Sequence, residues 1–143
     1  MSDWRDQLGG FFAVTDKKAR QDEEAGEWAR FILSIVIPAF EELAVELEKH
    51  GRSATVRHSV ASAQILVTYS GEEEMLYRVQ AKTMPDRILP CAEIRSRERK
   101  GLRYVSTESM FRSATPAYKI SDITKEEIIR NFVAHYTRRV ESA

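Results

Sequence analysis

Between Asp16 and His50 the apolar positions recur at helical steps: Trp28, Ile32, Ile35, Ala39, Leu43 and Leu47. Spacings of three and four place them on one face of a 3.6-residue helix. Thr15 or Asp16 can cap its start, and Gly51, just after His50, suits the left-handed residue that closes a helix. Pro38 falls inside the pattern, where it removes one backbone donor and crowds the carbonyl of Ser34. The apolar phase survives the proline, so the expectation is a kinked long helix rather than two unrelated ones. Around Phe31–Ile37 the helix is apolar nearly all round, more than one sheet face requires.

From residue 52 the period changes to two. Ala54, Val56, His58 and Val60 alternate with Thr55, Arg57 and Ser59; Ala63, Ile65, Val67 and Tyr69 follow, then Met75, Tyr77, Val79 and Ala81. Gln64, Thr68, Arg78, Gln80 and Lys82 take the other face. Ala61-Ser62 and Ser70-Gly71-Glu72-Glu73 are connections too short for anything but antiparallel neighbours. A fourth strand is expected over 88–97, with Ala92 and Ile94 facing in and Pro90 marking an edge or bulge, and a fifth over 102–107. Tyr118-Lys119-Ile120 reads as a last short strand. Thr124-Lys125-Glu126-Glu127 is a capping box opening a final helix, whose buried stripe is Ile128, Phe132 and Tyr136 with Ile129, Val133 and Val140. The fold class is therefore α+β: a long N-terminal helix kinked at Pro38 and a C-terminal helix, packed on a five-stranded antiparallel β-meander over residues 16–143.

Residues 1–15 form an apolar N-terminal arm. Gly9-Gly10 is expected to break any helix begun by Trp4 and Leu8. Trp4, Leu8, Phe11, Phe12 and Val14 are too apolar for a free tail, so the arm should pack on its own domain, the more ordinary outcome, or on a second copy.

Composition changes little in this picture. The chain has 143 residues, long enough for one domain with a real core. Lys and Arg number 22 against 22 Asp and Glu, which argues against a globally basic nucleic-acid binder. A single cysteine, Cys91, rules out an internal disulfide and, with no secretory leader, points to a reducing, cytoplasmic setting. The longest apolar run is far short of the roughly 20 residues a membrane span needs.

The distribution of charge is more informative. Residues 1–50 hold 6 basic and 11 acidic side chains; residues 87–119 hold 8 and 3. The basic excess centres on Arg95, Arg97, Arg99, Lys100 and Arg103 around one hairpin. Like charges on neighbouring strands repel, and an anion or an acidic partner surface would relieve them. Charged residues also guard sheet edges, which is the commoner reason for such a cluster.

The search for chemistry returns little. No phosphate-cradling glycine loop is present. His50, His58 and His135 are far apart, Cys91 has no cysteine partner, and Glu46 with His50 is a neighbour pair on a helix surface. Cys91 with His58 is the one nucleophile–base pairing to test. No catalytic residue, metal or cofactor is assigned, and the reading leans away from an enzyme.

What remains is a non-enzymatic interaction domain that self-associates as a homodimer, through Trp4, Phe11, Phe12, Phe31, Val36 and Ile37. The acidic helix and the basic hairpin could pair within one chain or between two. The alternatives are a nucleic-acid-binding module using the basic hairpin, and a small-ligand or enzyme domain with a pocket between sheet and long helix lined by His58, Tyr69 and Tyr77. No membrane partner is expected.

Overall fold

The computed structural model describes residues 4–83, 88–97, 103–112 and 118–142, without the side chains of residues 20, 21, 141 and 142. Helix α1 (Trp4–Phe31) runs into a π-helical turn at Ile32–Val36 and on into α2 (Ile37–Lys49). Strands β1 (Ser53–His58), β2 (Ser62–Tyr69), β3 (Glu72–Thr83), β4 (Ile88–Arg97) and β5 (Tyr104–Met110) follow. A 3-10 turn (Ile120–Asp122) leads into α3 (Lys125–Ser142). The sheet order is β1-β2-β3-β4-β5, every pair antiparallel, so the expected meander and its two flanking helices are both present.

The helices cover one face of the sheet. Ala63, Ile65 and Val67 of β2, Met75, Tyr77 and Val79 of β3, and Ala92 and Ile94 of β4 are buried in one core with Trp28, Ile32, Val36, Phe40 and Leu43 of the long helix. Ile128 and Phe132 of α3 close it. The Tyr77 ring meets Phe40 and Phe132 edge-on at centroid distances of 5.9 and 5.3 Å, so aromatic rings fill the space between sheet and helices. The expected stripe of α3 is narrower than the sequence suggested: Ile128, Phe132 and Tyr136 turn inward, whereas Val133 and Val140 are exposed.

Pro38 is accommodated by the backbone register rather than by a break. The amide of Ile37 donates to the carbonyl of Ile32, five residues back, which widens the turn immediately before the proline. One extra residue per turn rotates the following positions, so Val36, not Ile35, becomes the fully buried residue between Ile32 and Ala39. Ser34 donates its hydroxyl to the Arg30 carbonyl at 2.6 Å.

Two turns are built as their residues dictate. Ser70 (φ 54°) and Gly71 (φ 79°) both take left-handed backbone, the two-residue hairpin loop that matches strand twist. Gly51 (φ 80°) closes α2, and the Arg52 amide bonds the Leu47 carbonyl behind it at 3.0 Å. Tyr118 to Ile120 is not the last strand expected of it. Tyr118 lies buried, donating to the Pro90 carbonyl at 2.7 Å, and Ile120 opens the 3-10 turn. Alternating apolar residues over only three positions fit a short turn on the core as well as a strand.

The arm differs most from expectation. Gly9 and Gly10 do not interrupt α1: both are helical, and a Cβ at either would meet nothing within 4 Å. A glycine in an exposed helix costs about 1 kcal/mol relative to alanine, which weakens a helix without forbidding it. The arm does not pack on its own domain. Residues 4–19 are exposed throughout, with Trp4 at 62%, Phe11 at 64% and Val14 at 70%.

Candidate functional site

Alternation along the strands and the register between them define the uncovered sheet face. Arg57, Gln64, Arg78, Glu93 and Glu108 form one row across all five strands. Arg78 donates to Gln64 Oε1 from Nε and Nη2 at 3.3 and 2.9 Å, and Lys82 reaches Glu108 at 2.7 Å. This face is charged but laced with opposite signs.

The basic hairpin belongs to the same face. A β-bulge where β2 pairs with β3 separates two consecutive glutamates. Thr68 stands opposite Glu73 while Val67 stands opposite Met75, so Glu74 is the extra residue. Glu73 turns to Arg95, which binds it through Nη2 at 2.8 Å and Nε at 3.2 Å. Glu74 turns to Arg52 (3.2 Å) and accepts the Tyr136 hydroxyl at 2.7 Å, tying β1 and β3 to the end of α3. Arg52 also lies 4.1 Å over the Tyr69 ring. Burial and the hydrogen bond to Glu74 push the Tyr136 phenol up to about 12.

Arg95 and Arg97 both lie against the Tyr104 ring, at 5.2 and 5.6 Å. The predicted cluster is thus partly neutralised inside its own sheet. Arg103 is exposed, while Arg99 and Lys100 lie outside the described residues. Arg95 and Arg97 share a face, and the pairing of Arg95 with Glu73 is what sequence reasoning missed. The bulge sets that pairing, and three consecutive glutamates at 72–74 were its only sequence trace.

Among the described residues the acidic helix does not meet the basic hairpin within the chain. The long helix sits on the covered face, and Arg95 and Arg97 project from the other. Its Glu42 instead pairs with Lys125 of α3 at 2.9 Å.

Cys91 and His58 do not meet either. His58 is opposite Ala63, on the helix-covered side of the edge strand, while Cys91 is opposite Gln80 on the other face. Three strand spacings, roughly 14 Å, separate them as well. Burial pushes the Cys91 thiol up to about 11, so it is protonated at neutral pH and lacks nucleophilic character. Among the described residues no group of three or more His, Cys, Asp or Glu could hold a metal ion. Glu46 is engaged by Lys49 at 3.0 Å. Of the three residues expected to line a ligand pocket, Tyr77 is core, donating to Asn131 Oδ1 at 2.6 Å, while Tyr69 and His58 are exposed.

The six residues assigned to self-association fall into two groups. Phe31 and Val36 are core residues of their own domain, 5% and 0% exposed, and Ile37 packs half-buried against that core. The apolar surplus near the π turn is therefore mostly used inside the chain, leaving Leu33 outside. Trp4, Phe11 and Phe12 are exposed, joined by Leu8 and Val14.

These five side chains form one face. At about 100° per residue they span an arc of about 160° centred near Trp4, with Phe12 and Val14 at its rims. Gly9, Gly10 and Ala13 fall on the opposite side. Carried along the same helix, the direction in which Trp28, Phe31 and Ile32 face the core lies about 130° from the centre of that arc. The centre of the arm's apolar face is thus offset from the core stripe, the two meeting only at the Val14 rim. No helix among the described residues is long and apolar enough to cross a membrane. Comparison with protein-family models, with curated proteins and with solved structures returns no match.

Proposed function

We propose that this chain is a non-enzymatic interaction domain that self-associates through the apolar face of its N-terminal helix. The observation that carries the reading is the phase offset between the two stripes of α1. A helix whose second apolar face points about 130° away from its own core presents that face to another molecule. The polar sheet face, the protonated Cys91 thiol and the aromatic filling between the layers supply no competing chemistry.

Surface area bounds the strength. Five half- to two-thirds-exposed side chains offer on the order of 500 Å² per helix, counting about 100 Å² each. Two helices then bury roughly 1,000 Å², just below the 1,200–2,000 Å² of ordinary stable complexes. The expected association is reversible and in the micromolar range.

Sedimentation velocity from about 1 to 100 µM tests this: the wild type shifts from monomer toward dimer. Phe11→Glu weakens association at least tenfold, whereas Val60→Glu, an exposed valine in the β1–β2 turn, leaves it unchanged. A wild type that stays monomeric across the range refutes the reading. The nucleic-acid alternative has less support, because Glu73 and Tyr104 already engage the two described arginines of β4.

A further inference from the structure

We infer that the second copy binds antiparallel, as a short helix pair centred between Leu8 and Phe11. The inference rests on the self-association proposed above and adds its geometry. Trp4, Leu8, Phe11 and Thr15 recur at steps of four, three and four, the seam spacing of two packed helices. Phe12 and Val14 flank that seam, one on each side.

Side-chain size favours the antiparallel arrangement. Running the helices in opposite directions sets Trp4 against the partner copy's Thr15 and Leu8 against its Phe11, large residues facing smaller ones. A parallel pair in register stacks Trp4 on Trp4 and Phe11 on Phe11, then leaves two small threonines facing each other. Alternation of large and small is what fills a helix interface without voids or overlap.

Charge agrees. Continued toward the domain, the seam passes through Lys18 and Asp22. A parallel pair sets lysine on lysine and then aspartate on aspartate. The antiparallel pair carries both residues beyond the end of the overlap, to opposite ends of the assembly. Opposed helix dipoles add a smaller favourable contribution.

The geometry has a consequence for the whole molecule. Trp28, where α1 joins the core, is about 28 Å from the pair's centre at 1.5 Å per residue. The two domains therefore stand roughly 55 Å apart at opposite ends of a helical spacer, each with its charged sheet face uncovered. Such a dimer presents two copies of that face to separate partners.

Electron–electron distance measurement with a nitroxide on Glu23→Cys decides the matter. Glu23 is exposed, and Cys91 stays in place because it is fully buried. Residue 23 lies about 20 Å along the helix from the pair's centre, so the antiparallel dimer gives a distance near 40 Å and a parallel dimer one below about 20 Å. The sample is held above the dimerisation midpoint found by sedimentation. A dimer with the short distance overturns the antiparallel geometry and leaves self-association standing. A monomer with no dipolar modulation overturns both, whether or not it binds vesicles of anionic lipid.

Discussion

Gly9 and Gly10 offer the sharpest perturbation of the arm. Both are helical, and both lie on the polar side of α1, away from Trp4, Leu8 and Phe11. Neither would place a new Cβ within 4 Å of another atom, so alanine meets no steric obstacle at either site. Each replacement should then return the helix propensity that glycine withholds, about 0.8–1 kcal/mol, or about 2 kcal/mol for the pair. Residues 4–19 are exposed, so no tertiary contact masks this gain. The helix–coil equilibrium of the segment around the glycines should move by up to about 30-fold, at 1.4 kcal/mol per decade. Association that requires the helix should tighten in the Gly9→Ala/Gly10→Ala variant to the extent that the free arm is unformed. The assays are far-ultraviolet circular dichroism at low concentration, amide exchange over residues 4–19, and the sedimentation midpoint. The expected result is more helix, slower exchange and a tighter dimer. Unchanged exchange would refute the claim that glycine limits this segment. A weakened dimer would show that the glycines lie in the contact face, which would overturn the seam assignment.

Two further outcomes concern the domain itself. Tyr77→Phe removes the hydroxyl that donates to Asn131 Oδ1 at 2.6 Å and should cost about 1–2 kcal/mol in urea unfolding; a change under about 0.3 kcal/mol would mean water replaces the bond without loss. The Arg112 guanidinium, bonded to both oxygens of Glu127 at 2.6 and 3.0 Å, holds that carboxyl below its ordinary value of 4.5. A lowered carboxylate pKa stabilises the fold above the unfolded value and loses that contribution as pH falls through the folded one. Thermal stability should therefore drop below about pH 4.5, and Glu127→Gln should flatten that part of the profile; an unaltered profile would mean the pair does not couple to folding.

The elements were legible where one physical rule acted without competition. The strands of the meander read cleanly because helices cover one face only, so every second residue of β2 (Ala63, Ile65 and Val67) is buried. Ser70-Gly71 announced a hairpin because few residues tolerate left-handed backbone. At Thr124 the cap formed as read: its hydroxyl accepts the Glu127 amide at 3.2 Å. The errors arose where two tendencies opposed each other. At Gly9-Gly10 a weak propensity was read as a stop, although helix-compatible residues flank the pair and the chain continues helical. Before Pro38 the backbone makes a one-residue register change, a π turn, that periodicity does not encode. The pairing of Arg95 with Glu73 depends on a bulge whose position follows from strand register, a property of two segments together. The apolar excess at Phe31–Ile37 was visible, but its destination was not. Burial there comes from α3 as well as from β2 of the sheet.

The charge map acquires a different meaning once the layers are known. A neutral total with an acidic N-terminal half and a basic hairpin invites the idea that the two cancel against each other. Among the described residues the layers keep the two apart within one chain, because the long helix lies on one side of the sheet and Arg95 and Arg97 project from the other. Each excess is handled locally instead. Glu73 and Tyr104 temper the hairpin, and Lys125 engages Glu42 on the long helix. Lys18 and Asp22 stand apart from these pairs in position, on the line of Trp4, Leu8, Phe11 and Thr15 between the exposed arm and the core. In the proposed dimer they bear on direction: a parallel pair sets like charge on like at both positions, and an antiparallel pair at neither. In that proposal the apolar face supplies the affinity, and these two charges favour one direction.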